Sequence, residues 1–388
     1  MNKTVTTVKS IIPLKMLKRK LLSGDQKQKA LKKQIRLLSK IDSISDFPTF
    51  RRAVRPLLNS NTILNEGRFG EDAYYYGHYA SMLKYAGIKR TVIPVFSDLE
   101  HGVRFGSEKW RHHDESLIFA CQGPERVSEI ADFFPSTPVF ILGPYIRYAR
   151  PYYSAKQFEA KKKELGKTLL VFPSHTFELD KDGSISSDMF NTVYEKYAHS
   201  YDTVMVCIYW NDIDDPLWEK YARKGAVLVS AGFRGDSHFI ERLKTIIMLS
   251  DTVIGDDLGT NIGYCLAMKK KFILAKTIFR KNEKIEKYSK QFVEAFSSEN
   301  GRFSAEQLSL QKELYKRFWG GSDFTLNRRE MKELMEGIIK IYRKSLYSLI
   351  CIRNNLAKAL AQKDCPVYKY HLFNRYEKMQ NEFTKGKR

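Results

Sequence analysis

Between residues 168 and 274 the chain repeats one pattern. A short apolar run is followed by a stretch with helical spacing, and then by another apolar run. The runs fall at 168–172, 203–208, 226–230, 252–255 and 272–274, and the helical stretches at 187–199, 215–223, 237–250 and 261–268. A strand that reads apolar throughout is buried on both faces, and parallel neighbours need a crossover helix between them. The repeat therefore predicts an α/β unit built on a parallel, doubly wound sheet.

A second unit of the same kind is expected upstream, over residues 48–155. Runs at 91–96, 117–121 and 139–142 read as strands, and 62–65 adds a weaker one. The polar, lysine-rich stretch 156–167 is read as a helix or linker dividing this unit from the second, at 168–325. Beyond 326 the chain turns helical, with Leu334, Ile338, Ile341, Leu346 and Ile350 marking a long helix. It ends at residue 388 after an aromatic, basic tail.

The formal charge of +22 is concentrated at the N-terminus. Residues 1–40 hold twelve Lys and Arg against one acid, Asp25, so half of the excess lies in about a tenth of the chain. Residues 1–47 read as a basic arm of two amphipathic helical patterns: Ile11, Ile12, Leu14, Leu17 and Leu21, then Leu31, Ile35 and Leu38. Such helices either lie on an anionic membrane surface or pack on the domain behind them. Nucleic acid is not expected, because no binding module accompanies the charge. No apolar run approaches the roughly 18 residues of a spanning helix, and no signal peptide is apparent. Five cysteines without paired spacing speak against a zinc cage or disulfide framework and suit a reducing cytoplasm.

Ligands of open parallel sheets gather beyond the carboxyl ends of the strands, which directs attention to the turns there. The Asp256-Asp257-Leu258-Gly259-Thr260-Asn261 turn opens a helix whose N–H groups suit a phosphate. Asp257, Gly259, Thr260 and Asn261 are its candidate residues. Gly232-Phe233-Arg234-Gly235-Asp236 closes the run before it. Arg234 there either neutralises a diphosphate, as a partner of the 256–261 turn, or pairs with Asp236. Ser174 and His175 follow the first run and suit a charged group or sugar hydroxyl. In the upstream unit Glu66, Gly67, Arg68, His101, Gly102 and Tyr145 occupy equivalent turns. His101 is a candidate base, since imidazole titrates near neutrality. Asp212, Asp214 and Asp215 allow a divalent cation or a helix start, and no metal site is assigned.

Two such α/β units, the second ending SDTVIGDDLGTNIGYCLAMKKKFIL, resemble the two-Rossmann (GT-B) nucleotide-sugar glycosyltransferases. Among these the chain looks most like bacterial enzymes that assemble capsule or lipopolysaccharide glycans. The resemblance implies two Rossmann-like domains, a nucleotide-sugar donor and a glycan or lipid-linked acceptor. It further implies no cofactor and a peripheral place on the cytoplasmic face of the membrane. It puts the donor nucleotide on Gly232, Arg234 and Gly259–Asn261. The acceptor would enter past Glu66–Gly70 and His101-Gly102, with His101 and then Glu66 as base if the reaction inverts. The Glu-x7-Glu pattern of one large retaining group is missing, so the stereochemistry stays open. A nucleotide-sugar 2-epimerase shares the architecture, and a non-catalytic membrane- or nucleic-acid-binding protein would use the glycine turns only structurally.

Overall fold

A computed structural model describes residues 26–58, 75–89, 98–100, 118–133, 138–174, 187–275 and 283–344. The first amphipathic pattern, the runs 62–65 and 91–96, and the chain after 344 lie outside these residues. Helix α1 (Gln26–Leu38) carries the second amphipathic pattern, and α2 (Phe47–Val54) is capped by the Asp46 carboxylate on Thr49 N. Leu31 and Leu38 of α1 and Phe47, Phe50 and Val54 of α2 are buried in one core. That core belongs to the downstream sheet, so the described part of the arm is docked. Helix α2, which follows the arm, shares this core as well. An apolar helix stripe needs cover, and the nearest uncovered sheet face supplies it.

The upstream unit contains α3 (His78–Ala86), β1 (Asp98–Leu99), β2 (Phe119–Cys121), α4 (Pro124–Phe133) and β3 (Val139–Ile141). The three strands lie parallel in the order β1-β2-β3. Asp98 and Leu99, expected in a turn, extend the ladder by pairing with Phe119 and Ala120.

Helix α5 (Ala155–Leu165) occupies the lysine-rich stretch, behind a Ser154/Gln157 capping box. The second unit then runs β4 (Thr168–Phe172), α6 (Ser187–Thr192), β5 (Thr203–Cys207), α7 (Leu217–Arg223) and β6 (Val227–Val229). It continues through α8 (Phe239–Leu249), β7 (Thr252–Gly255), α9 (Thr260–Ala267) and β8 (Lys271–Leu274). Its five parallel strands are ordered β6-β5-β4-β7-β8, the doubly wound arrangement that reverses direction between β4 and β7. Alternation along β4 sends Leu169 and Val171 into the core under α1 and α2, and Leu170 into the core under α8 and α9. Both faces are covered, which explains the unbroken apolar run. Helix α6 is shorter than the expected 187–199, because the chain widens into a π turn at Val193–Tyr197 and then tightens at Ala198–Ser200.

Helices α10 (Glu283–Phe296), α11 (Ala305–Trp319) and α12 (Arg328–Lys344) return the chain to the upstream unit. The end of α11 is seated on the turn after β2. A Cβ on Gly123 would stand 2.3 Å from the Phe318 carbonyl, an approach that only glycine permits. Gly263 of α9 likewise leaves room for the Trp319 ring. Met331, Leu334, Met335 and Ile338 of α12 are buried in the core that also holds Tyr79, Met82 and Leu83 of α3. The two sheets are thus fastened by the C-terminal helices, and the carboxyl end of β2 lies under their turn.

Candidate functional site

The strand order fixes where a ligand crevice forms. Between β4 and β7 the crossovers leave in opposite directions, and in open parallel sheets ligands gather at such a switch point. On one side of it Ser174 follows β4, and on the other Asp256 follows β7. The Ser174 N–H donates to Asp256 Oδ1 at 2.6 Å, and its hydroxyl to Oδ2 at 3.3 Å. Asp256 is 5% exposed. Burial, helped by the neighbouring Asp257 charge, pushes its carboxyl up to about 6 against the pull of the Ser174 N–H. Asp256 thus titrates near neutrality, a signal that the sequence concealed by offering two adjacent aspartates of equal appearance.

Asp257 instead folds onto its own turn and accepts the Leu258 N–H at 2.7 Å. Gly259 is extended, with φ −129 and ψ 173, and precedes α9 without a side-chain cap. The Asn261 carboxamide oxygen accepts the Ile262 N–H at 3.1 Å, and a Cβ on Gly259 would meet that oxygen at 2.8 Å. The first N–H groups of α9 therefore begin beside the switch point behind a residue with no side chain. Residues 257–261 are all half-buried, as the wall of a crevice should be.

The turn after β6 is built differently from the expectation. Asp236 is not the partner of Arg234. It pairs with Arg242 at 2.6 Å, both side chains 1% exposed. Arg242 also donates to the carbonyls of Ser39 at 2.9 Å and Ile41 at 3.2 Å, which fixes the chain after α1 to this turn. Gly232 has φ +102, and a Cβ there would stand 2.8 Å from Arg242 Nη1. Its glycine is explained by this buried pair. Arg234 is left half-buried, its guanidinium over the rings of Tyr75 at 5.0 Å and Trp210 at 5.4 Å. Strands spaced about 4.8 Å apart put the ends of β6 and β7 roughly 14 Å apart. Arg234 and the 256–261 turn thus flank the switch point from opposite sides.

Tyr145 belongs to the core. It is fully buried, its hydroxyl donates to the Ala120 carbonyl at 3.0 Å, and burial holds its ionisation far above the usual range. Glu66, Gly67, Arg68, His101, Gly102 and His175 lie outside the described residues. Asp214 is taken by Arg51 and Arg55, at 3.1 and 2.8 Å, and Asp215 accepts the Leu217 N–H at the start of α7. Among the described residues no cluster of His, Cys, Asp and Glu is arranged to hold a metal. Sequence reasoning passed over Tyr209 and Trp210, although they follow an apolar strand as directly as Ser174 does.

Fold and strand order together define a parallel α/β protein of two sheets, the second reversing its order between β4 and β7. No protein-family model matches the chain, and no curated protein matches it. Among solved structures it is similar to the wall teichoic acid polymerase TagF, at 11% identity and a TM-score of 0.39, over 65% of this chain and 69% of that one. It is also similar to a Listeria monocytogenes protein described as a UDP-N-acetylglucosamine 2-epimerase, at 12% identity and a TM-score of 0.35, over 69% and 78% of the two chains. The fold assignment rests on the strand order, not on likenesses of that size.

Proposed function

We propose that this protein is a glycosyltransferase that moves a sugar from a nucleotide-sugar donor to a surface-glycan acceptor such as capsule or lipopolysaccharide. The observation that carries the reading is the Ser174–Asp256 contact at the switch point, with the uncapped start of α9 beside it. Helix N–H groups favour an anion, and in a transferase they stabilise the nucleotide phosphate as it departs. Gly259, Thr260 and Asn261 would hold that phosphate, and Arg234 would add positive charge from the far side. Asp257 and Gly232 shape the two turns that carry these groups, and Ser174 and His175 would face the sugar. The acceptor would enter past Glu66, Gly67, Arg68 and Gly102, with His101 as the base that takes its hydroxyl proton. The basic N-terminus, residues 1–40, would keep the enzyme on an anionic membrane surface, consistent with cytoplasmic work on lipid-linked acceptors. No helix among the described residues is long and apolar enough to cross a membrane.

The test is a thermal-shift screen against CMP, UDP, GDP and their sugar conjugates. A shift with one nucleotide, reduced by Asn261→Ala, supports the reading and names the donor class. If no nucleotide shifts the wild-type protein, the transferase reading is wrong. Sugar isomerisation in the absence of any acceptor would identify an epimerase instead.

A further inference from the structure

The carboxyl ends of β5 and β6 hold, side by side, two donors that make no well-formed hydrogen bond to an acceptor among the described residues. The first is the guanidinium of Arg234. Its central carbon lies 5.0 Å from the Tyr75 ring centre and 5.4 Å from that of Trp210, cation–π contacts that do not themselves occupy its N–H groups. Among the described residues no carboxylate lies within ion-pair distance of it, and Asp236, two residues on, is committed to Arg242. The second donor is the indole N–H of Trp210. The residue is 5% exposed, and its N–H, near the Tyr209 hydroxyl, makes no well-formed hydrogen bond among the described residues. A buried donor without a partner is uncommon because its lost hydration is not replaced.

The surroundings hold these groups in place. Tyr76 has φ 58, a left-handed conformation that non-glycine residues seldom adopt. In that conformation its N–H donates to the Arg234 carbonyl at 2.6 Å, and its hydroxyl lies 3.2 Å from that of Tyr209. Burial raises the Tyr209 ionisation, while the Tyr76 hydroxyl, the nearby Trp210 indole and the Arg234 charge draw it down and Asp212 pushes it up. On the other flank, Gly232 is locked against the Arg242–Asp236 pair. Backbone strain and a buried ion pair thus converge on one residue whose own charge meets no carboxylate among the described residues.

We propose that Arg234, the Trp210 indole N–H and the Tyr76–Tyr209 hydroxyls form an oxyanion cage that takes a phosphate or carboxylate of the bound substrate. The proposal rests on reading this crevice as a ligand site and does not depend on which sugar is transferred. A planar guanidinium flanked by a neutral N–H and hydroxyls matches an oxyanion with several acceptor oxygens. The aromatic walls exclude water from it and strengthen each contact.

The experiment is calorimetric titration of the full chain with inorganic pyrophosphate and, separately, with malonate. The variants are Arg234→Gln and Trp210→Phe, the second of which removes the N–H and keeps an aromatic ring. The cage predicts that Arg234→Gln weakens binding about tenfold or more, as expected for a charge-assisted hydrogen bond, and Trp210→Phe by a smaller factor. Loss confined to pyrophosphate identifies a phosphate, and loss confined to malonate a carboxylate on sugar or acceptor. If the wild type binds neither probe, or folded Arg234→Gln binds both as the wild type does, the cage is refuted. Should Trp210→Phe fail to fold, Arg234→Gln decides alone. A nucleotide shift that survives Arg234→Gln would leave the transferase reading standing while the cage falls.

Discussion

The Ser174 N–H donates to Asp256 Oδ1 at 2.6 Å, joining the carboxyl ends of β4 and β7 where the sheet reverses its order. This bond fixes the turn after β4 to the turn after β7. It also ties a group that titrates near neutrality to the turn that opens α9.

Asp256 should make the fold pH-sensitive in an unusual direction. Its folded pKa is raised to about 6, so the native state holds an extra proton between the ordinary carboxylate value and that pH. Stability attributable to this group therefore falls as pH rises from about 4 to 6 and stays low above it, by roughly 2–3 kcal/mol. Asp256→Asn, which can still accept the Ser174 N–H, is expected to be more stable than the wild type at pH 7. Urea melts at both pH values check this, and the gap should narrow toward pH 5. A gap that widens on acidification would contradict the assignment.

Gly263 of α9 lies against the fully buried Trp319 ring, where an added Cβ would fall 2.2 Å from the ring atoms. Overpacking of this kind costs about 1–3 kcal/mol. Gly263→Ala is expected to lower the melting temperature and to loosen the end of α11 from the turn after β2. Faster amide exchange at Phe318 and Trp319 would register the loosening.

The Arg242–Asp236 pair is buried on both sides, and Arg242 also holds two carbonyls of the segment after α1. Removing one partner leaves the other charge buried alone, which costs on the order of 3–5 kcal/mol. Asp236→Ala should therefore shift the urea midpoint strongly downward. Exchange protection should drop both at residues 39–43 and at the Gly232 turn, because one guanidinium serves both.

Lys33 and Arg36 on α1 and Lys40 just after it are exposed near Leu37, itself 48% exposed, while Leu31 and Leu38 face the core. Replacing the three cations by Gln removes surface charge without touching the packed face. Each cation near an anionic bilayer contributes about 1 kcal/mol, so binding to phosphatidylglycerol vesicles should weaken by roughly two orders of magnitude. Melting temperature should hardly move. Equal co-sedimentation of variant and wild type would show that α1 takes no part.

Much of this molecule is written in local pattern. The apolar runs 168–172 and 252–255 coincide with β4 and β7, because strands covered on both faces cannot carry polar residues inside them. The turns at 232–236 and 256–261 were legible as strand ends for the same reason. The amphipathic stripe of Leu31, Ile35 and Leu38 announced a helix, although not what would cover it.

Only the tertiary structure decided which of these chemically similar groups does what. Asp236 and Asp256 look alike in sequence, yet one neutralises a buried arginine and burial pushes the other up to about 6. Tyr145 stands at a strand end as a ligand residue would, but the returning helices bury that edge and its hydroxyl serves a backbone carbonyl. Phe47 to Val54 share a core with the second sheet, which their pattern alone did not announce, since an apolar stripe specifies that it must be buried and not by what. Arg234 gained its meaning from Tyr75 and Trp210, distant in sequence and on different elements. Periodicity and turn chemistry are properties of neighbours along the chain. Burial, charge pairing and the environment that moves a pKa belong to neighbours in space, and the chain acquires those only on folding.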